Sequence, residues 1–158
     1  MDKFINSDFS NYSALEKEYF IFYISCFDHF LSEDEYINVD LVCYADVGKD
    51  PNKMKQFVQI KNKFIVFYKL LFKLAKGDVI VMLDNIPILI KSFDEYQRHV
   101  NNALLESPLC TLLYPTLGCF TRTGYDLTHE FFVLKPKLLN EQKINKSIKK
   151  IGLNMFKK

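Results

Sequence analysis

Three histidines and four cysteines carry whatever proton-transfer, nucleophilic or metal chemistry this sequence has beyond its carboxylates. His29 follows Asp28, and His99 follows Arg98. No two histidines are spaced i, i+4, and none stands at a zinc-like distance from a cysteine. The sequence thus predicts no metal site and no cofactor. His129 has the richest setting, with Tyr125, Asp126, Thr128 and Glu130 around it. An Asp126–His129 pair would orient an imidazole as general base, with Cys110 or Cys119 as nucleophile and Arg122 close by. The plainer alternative is that Asp126 and His129 pin a strand entry by local hydrogen bonds.

Gly118-Cys-Phe-Thr-Arg-Thr-Gly124 offers close backbone approach and one guanidinium, the ingredients of a phosphate loop. It lacks the G-x-x-x-x-G-K-[ST] order of a Walker loop. Only two residues separate Cys119 from Arg122, too few for the cradle of a cysteine phosphatase. A glycine-punctuated turn explains the segment equally well.

Charge is sorted along the chain. Residues 1–50 hold eleven acids against three lysines, a local net of −8. Residues 51–158 hold eight acids against eighteen Lys and Arg, a local net of +10, and the whole chain is +2. Such a distribution steers encounters with a charged partner. The densest acids are Glu33-Asp34-Glu35, with Asp28 upstream and Asp40 and Asp46 downstream. The basic end is Lys135, Lys137, Lys143, Lys146, Lys149, Lys150, Lys157 and Lys158, opposed by Glu141 alone. Those lysines would suit an anionic surface, or the negative end of a packed helix. Lys outnumbers Arg nineteen to two, which disfavours a nucleic-acid reader that needs the bidentate fork of arginine.

Elements that would position these groups follow from caps and periodicity. Ser13-Ala-Leu-Glu16 reads as a capping box opening a helix whose apolar stripe runs from Leu15 to Phe30. Alternation over Tyr36–Tyr44 predicts a half-buried strand. Asp50-Pro51 predicts a helix to about Ala75, stopped by Gly77, with a hairpin of residues 56–60 and 64–68 as the alternative. Val79–Leu83 predicts a buried strand, with Ile88–Ile90 extending or bending it beyond Pro87. Ser92-Phe-Asp-Glu95 opens a third helix ended by Pro108. Leu109–Tyr114, Cys119–Arg122 and Glu130–Leu134 read as strands. A last helix from about Asn140 carries Ile144, Ile148, Ile151 and Met155 on one face. The expectation is one α+β domain spanning 1–158: about four helices on a mixed sheet of four to five strands, some of them parallel neighbours.

At 158 residues such a domain buries roughly two-thirds of its unfolded surface. No secretory signal is evident behind Met1-Asp2-Lys3-Phe4, and no apolar run approaches the roughly twenty residues of a membrane span. The four cysteines form no C-x-x-C pair and read as reduced core thiols. A cytoplasmic, non-enzymatic protein is therefore expected, with nucleic acid an unlikely ligand. The function these features favour is a protein-binding inhibitor, of the kind a bacterium uses as immunity protein against a toxin, possibly a nuclease. Its contact residues would be Asp28, Glu33, Asp34, Glu35, Tyr36, Asp40, Tyr44 and Asp46, opposing a basic partner. The alternatives are an anionic-surface or nucleic-acid binder using the Lys-rich end, and a small Cys/His enzyme.

Overall fold

A computed structural model describes residues 11–135 and 141–157. Asp2, Lys3, Asp8, Lys137, Asn140 and Lys158, which enter the charge count and the start of the last helix, lie outside those residues. Over the described residues the fold is a single mixed α/β arrangement of five helices and a seven-stranded sheet. In chain order the elements are α1 Tyr12–Glu18, β1 Tyr19–Ser25, α2 Glu33–Asn38, α3 Pro51–Leu74, β2 Ile80–Leu83, β3 Ile86–Leu89 and α4 Phe93–Leu104. They continue with β4 Thr111–Tyr114, β5 Cys119–Arg122, β6 Thr128–Leu134, α5 Glu141–Ile151 and β7 Asn154–Phe156. Strand order is β3-β2-β4-β5-β6-β1-β7, and every adjacent pair is antiparallel. The expected parallel neighbours are absent among the described strands; short turns that reverse the chain join β2 to β3, β4 to β5 and β5 to β6.

The sheet is covered on both faces. Phe22, Ile24, Leu112, Phe131 and Val133 face α3, α4 and α5, where they meet Phe64, Phe67, Tyr96, Val100 and Ile148. Alternate residues face the other way: Tyr19, Ile80, Leu113, Phe120 and Phe132 pack with Leu15 of α1. On that second face Phe120 stacks on Phe132 at 4.3 Å between ring centroids, and Tyr19 meets Phe120 edge-on at 5.1 Å.

Two-sided burial explains the first error of the sequence reading. The expected helix to Phe30 ends at Glu18, and Tyr19–Ser25 is a strand. A strand buried on both faces is apolar at successive positions, so its run also satisfies a 3.6-residue stripe. Its aromatic and β-branched residues favour the extended form, and pairing with β6 from Tyr19↔Leu134 to Ser25↔Thr128 settles it. Ser13 is not the cap of α1; the Asn11 side chain accepts the Ala14 N–H instead.

The expected strand at Tyr36–Tyr44 is also replaced. Ser32 and Glu35 form a capping box, and Glu33, Asp34 and Glu35 occupy the first turn of α2, where carboxylates suit the positive helix end. A 3-10 turn at Tyr44–Val47 follows. The helix from Pro51 stands as predicted, capped by Asp50 through Asn52 N–H and Lys53 N–H, so the alternative hairpin does not form. Ile86–Leu89 is not an extension of β2 but its antiparallel partner, turned by Asp84 and Asn85, both at positive φ. The bonded pair Ile90–Val79 sets the period of that ladder. It puts Pro87 opposite Met82 in a non-bonded pair, so the missing N–H costs β2 nothing. Met155 leaves the stripe of α5 and sits in β7.

Helix α3 gives a direct test. Phe67 is fully buried and Val66 half exposed. Phe67→Ala is expected to cost about 3–5 kcal/mol, and Val66→Ala within about 0.5 kcal/mol, both measured by urea unfolding. Equal costs would be inconsistent with the helical register.

Candidate functional site

His129 is on β6, and its side chain points into the core between sheet and α3. Its ring stacks on Phe64 at 4.3 Å, and Nδ1 is 2.6 Å from the Tyr68 hydroxyl. Burial lowers its pKa to about 3, so the ring is neutral at physiological pH. Tyr68 in turn accepts the Tyr96 hydroxyl at its backbone carbonyl, and Tyr96 meets Tyr114 at 2.9 Å. Asp126 is not a partner of His129: burial raises its pKa, and the N–H groups of Asp126 and Thr128 partly offset that. The thiols are buried as well. Burial pushes Cys110 up to about 12 and Cys119 further, against what a nucleophile needs. The geometry therefore does not assemble the Cys110/Cys119–His129–Asp126 constellation. His129 and Cys110 serve the core, where the Thr123 hydroxyl accepts the Cys110 N–H at 2.9 Å.

The glycine-flanked segment is a strand, not a loop. Gly118 takes φ +63 to leave a 3-10 turn, and β5 follows directly. At Gly124 a Cβ would lie 2.4 Å from the Thr128 carbonyl oxygen, so the return into β6 demands glycine. Arg122 projects to the sheet face opposite His129. Its Nε and a terminal nitrogen both reach Glu130 Oε2 at 2.6 Å, and its guanidinium lies 5.2 Å from the Tyr12 ring and 5.1 Å from the Phe132 ring. The Tyr12 hydroxyl donates to Glu130 Oε1. Two hollows flank this pair. One, of about 420 Å³, reaches towards Asp84, Asn85 and Thr111. The other, of about 230 Å³, reaches Tyr23, Phe30 and Asp126.

Of the eight residues proposed for partner contact, seven are exposed: Asp28, Glu33, Asp34, Glu35, Tyr36, Asp40 and Asp46. Their jobs differ. Glu35 takes the Ser32 N–H and hydroxyl and sits 3.0 Å from His29 Nε2, which holds its carboxyl at about 2. His29 is raised by its contacts with Asp28, at 2.6 Å, and then Glu35. Asp46 accepts the Val42 and Cys43 N–H groups, which hold its pKa low. Glu35 and Asp46 are thus structural, while the carboxylates of Glu33, Asp34 and Asp40 make no hydrogen bond or ion pair among the described residues and face solvent. Tyr44 is half buried against Phe57, and its N–H donates to Glu106 at 2.6 Å. Tyr36 is 48% exposed and Ile37 72%.

Sequence order hid two members of this surface. The Tyr36 phenol is raised by partial burial, then by the charges of Asp126, Asp46 and Glu106. Glu106 and Asp126 come from the basic two-thirds of the chain, yet fold beside the acidic segment. Conversely Lys53 lies close enough to help lower Asp46, so the charge sorting along the chain is only partly kept in space. In α5, Ile144 and Ile148 are buried and Lys143, Lys146, Lys149 and Lys150 exposed. Among the described residues no group of three His, Cys, Asp or Glu side chains could hold a metal ion, and no helix is long and apolar enough to cross a membrane.

Burial of His129 has a sign that can be worked out. The unfolded ring binds a proton below about 6.5, and the folded ring only near 3. Its contribution to stability is therefore present above the unfolded pKa and lost as pH falls from about 6.5 towards 3, at about 1.4 kcal/mol per pH unit. Urea unfolding between pH 7 and 4.5 should show a shallower loss for His129→Phe than for the parent. Parallel slopes would refute the buried, neutral ring. Iodoacetamide should alkylate the partly exposed Cys26 and Cys43 before Cys110 and Cys119, read by peptide mass mapping.

No family model, no curated protein and no solved structure matches the chain.

Proposed function

We propose that the chain is a protein-binding inhibitor, of the bacterial immunity type, which blocks the active site of a basic toxin with the surface around α2. The observation that carries this reading is the exposed pair Tyr36 and Ile37, set among Glu33, Asp34 and Asp40. An aromatic and an aliphatic side chain ringed by charge has the anatomy of an interface core and its rim. Exposed carboxylates with no hydrogen bond of their own among the described residues are available to meet Lys and Arg in a toxin cleft, and such charges act mainly on the rate of encounter. A nuclease is a fitting target, since its cleft is basic in order to hold phosphate.

The rival readings fit less well. The buried thiols and neutral His129 do not favour an acyl or phosphoryl transfer enzyme. Helix α5 spends its isoleucines on the core, which removes the apolar face that an interfacial helix lays into a membrane.

The test is a tagged pull-down from the host cells, identification of a stoichiometric partner, and association kinetics with variants. Glu35 is left intact because it caps α2. Glu33→Lys with Asp34→Lys is expected to slow association roughly tenfold at low ionic strength, and Tyr36→Ala to speed dissociation. Unchanged rates in both variants, with the fold retained, would overturn the acidic docking surface.

A further inference from the structure

The 230 Å³ hollow has walls of a particular chemistry. Tyr23 and Phe30 supply two aromatic rings, 4.5 Å apart and nearly perpendicular. Glu130 and Asp126 supply carboxylates, and Arg122 the balancing cation. Arg122 is engaged: two of its nitrogens hold Glu130, and its plane lies over Tyr12 and Phe132. Among the described residues lining the hollow, one carboxylate is left in excess. The Asp126 carboxylate forms no ion pair among the described residues. Burial raises its pKa, and the charge of Glu130 raises it further, as expected of a carboxylate whose countercharge is missing. Its place is fixed by the tight return at Gly124, whose Cβ position is 3.2 Å from Asp126 Oδ1.

A half-enclosed carboxylate beside aromatic faces selects for an organic cation over a metal ion. The rings attract a diffuse positive charge and cover an alkyl stem, and the carboxylate supplies directional hydrogen bonds. We propose that this hollow is a receptor for one alkylguanidinium or alkylammonium group, with its head on Asp126 and its stem along Tyr23 and Phe30. Phe30 stands at the border of the acidic segment, so the natural source of that group is a basic side chain of the protein partner. That last clause rests on the inhibitor reading; the receptor does not.

The probe is n-butylguanidinium, titrated into the full chain and followed by amide chemical shifts, with n-butanol and butyrate as neutral and anionic controls. Saturable shifts at Gly124, Asp126 and Thr128 are expected for the guanidinium alone. Asp126→Asn, which keeps shape and removes charge, should weaken binding roughly tenfold. Phe30 is 44% exposed, so Phe30→Ala leaves the core intact and should weaken binding severalfold even if the asparagine variant folds poorly. No saturation, equal binding of butanol or butyrate, or unaltered affinity in Phe30→Ala and a folded Asp126→Asn would overturn the receptor. Association kinetics of Asp126→Asn with a captured partner separate the two readings. Probe binding without any effect on the partner leaves the receptor standing and removes its link to the inhibitor. A partner sensitive to Glu33 and Asp34 with no probe binding does the reverse.

Discussion

Burial on both faces of one sheet is the constraint from which the rest of the structure follows. A seven-stranded antiparallel sheet can leave one side wet, but here β4, β6 and β1 carry large apolar side chains in both directions. The heavy face is covered by three helices. On the lighter face Leu15 of α1 packs with the Phe120–Phe132 stack and the Tyr19 ring. Arg122 and Glu130 project from this lighter face. Their pairing, with Tyr12 donating to the same carboxylate, lets two charges sit a quarter exposed among aromatic rings. An ion pair in that setting offsets its own desolvation rather than adding much stability. Its effect is to fix where the neighbouring hollows open.

Polar groups on the heavy face follow a different rule. His129, Tyr68, Tyr96 and Tyr114 are each buried with a hydrogen-bond partner, and they link α3, α4, β4 and β6. A buried network satisfied in this way specifies one packing of helices on sheet more strictly than greasy side chains alone would. The histidine that suggests catalysis in the linear sequence, His129, is here part of how α3 finds its register.

What could be read from the sequence was whatever local chemistry decides. Asp50-Pro51 and Ser92 start helices because their side chains satisfy amides within three residues, and both starts are where they were expected. The strands β2, β4, β5 and β6 were legible from β-branched and aromatic runs. The first fifty residues were not. Tyr19–Ser25 fits both periods because both of its faces are buried, and only the partner β6, more than a hundred residues away, decides between them. Tyr36–Tyr44 alternates by accident, while the Ser32–Glu35 box, lying just ahead, dictates a helical turn. The candidate surface was legible in part. Glu33, Asp34 and Asp40 are where a linear reading puts them, but Tyr44 is turned inward, and Glu106 and Asp126 join only through the fold.

The position of β1 also bears on how the protein is made. Tyr19 pairs with Leu134, and Tyr23 with Phe156. A ribosome adding about 5–20 residues per second needs on the order of ten seconds to pass from one partner to the other. Throughout that interval the most aromatic stretch of the nascent chain has neither of its neighbours. The window between the birth of β1 and the arrival of β6 is when this polypeptide depends most on being shielded from its own copies.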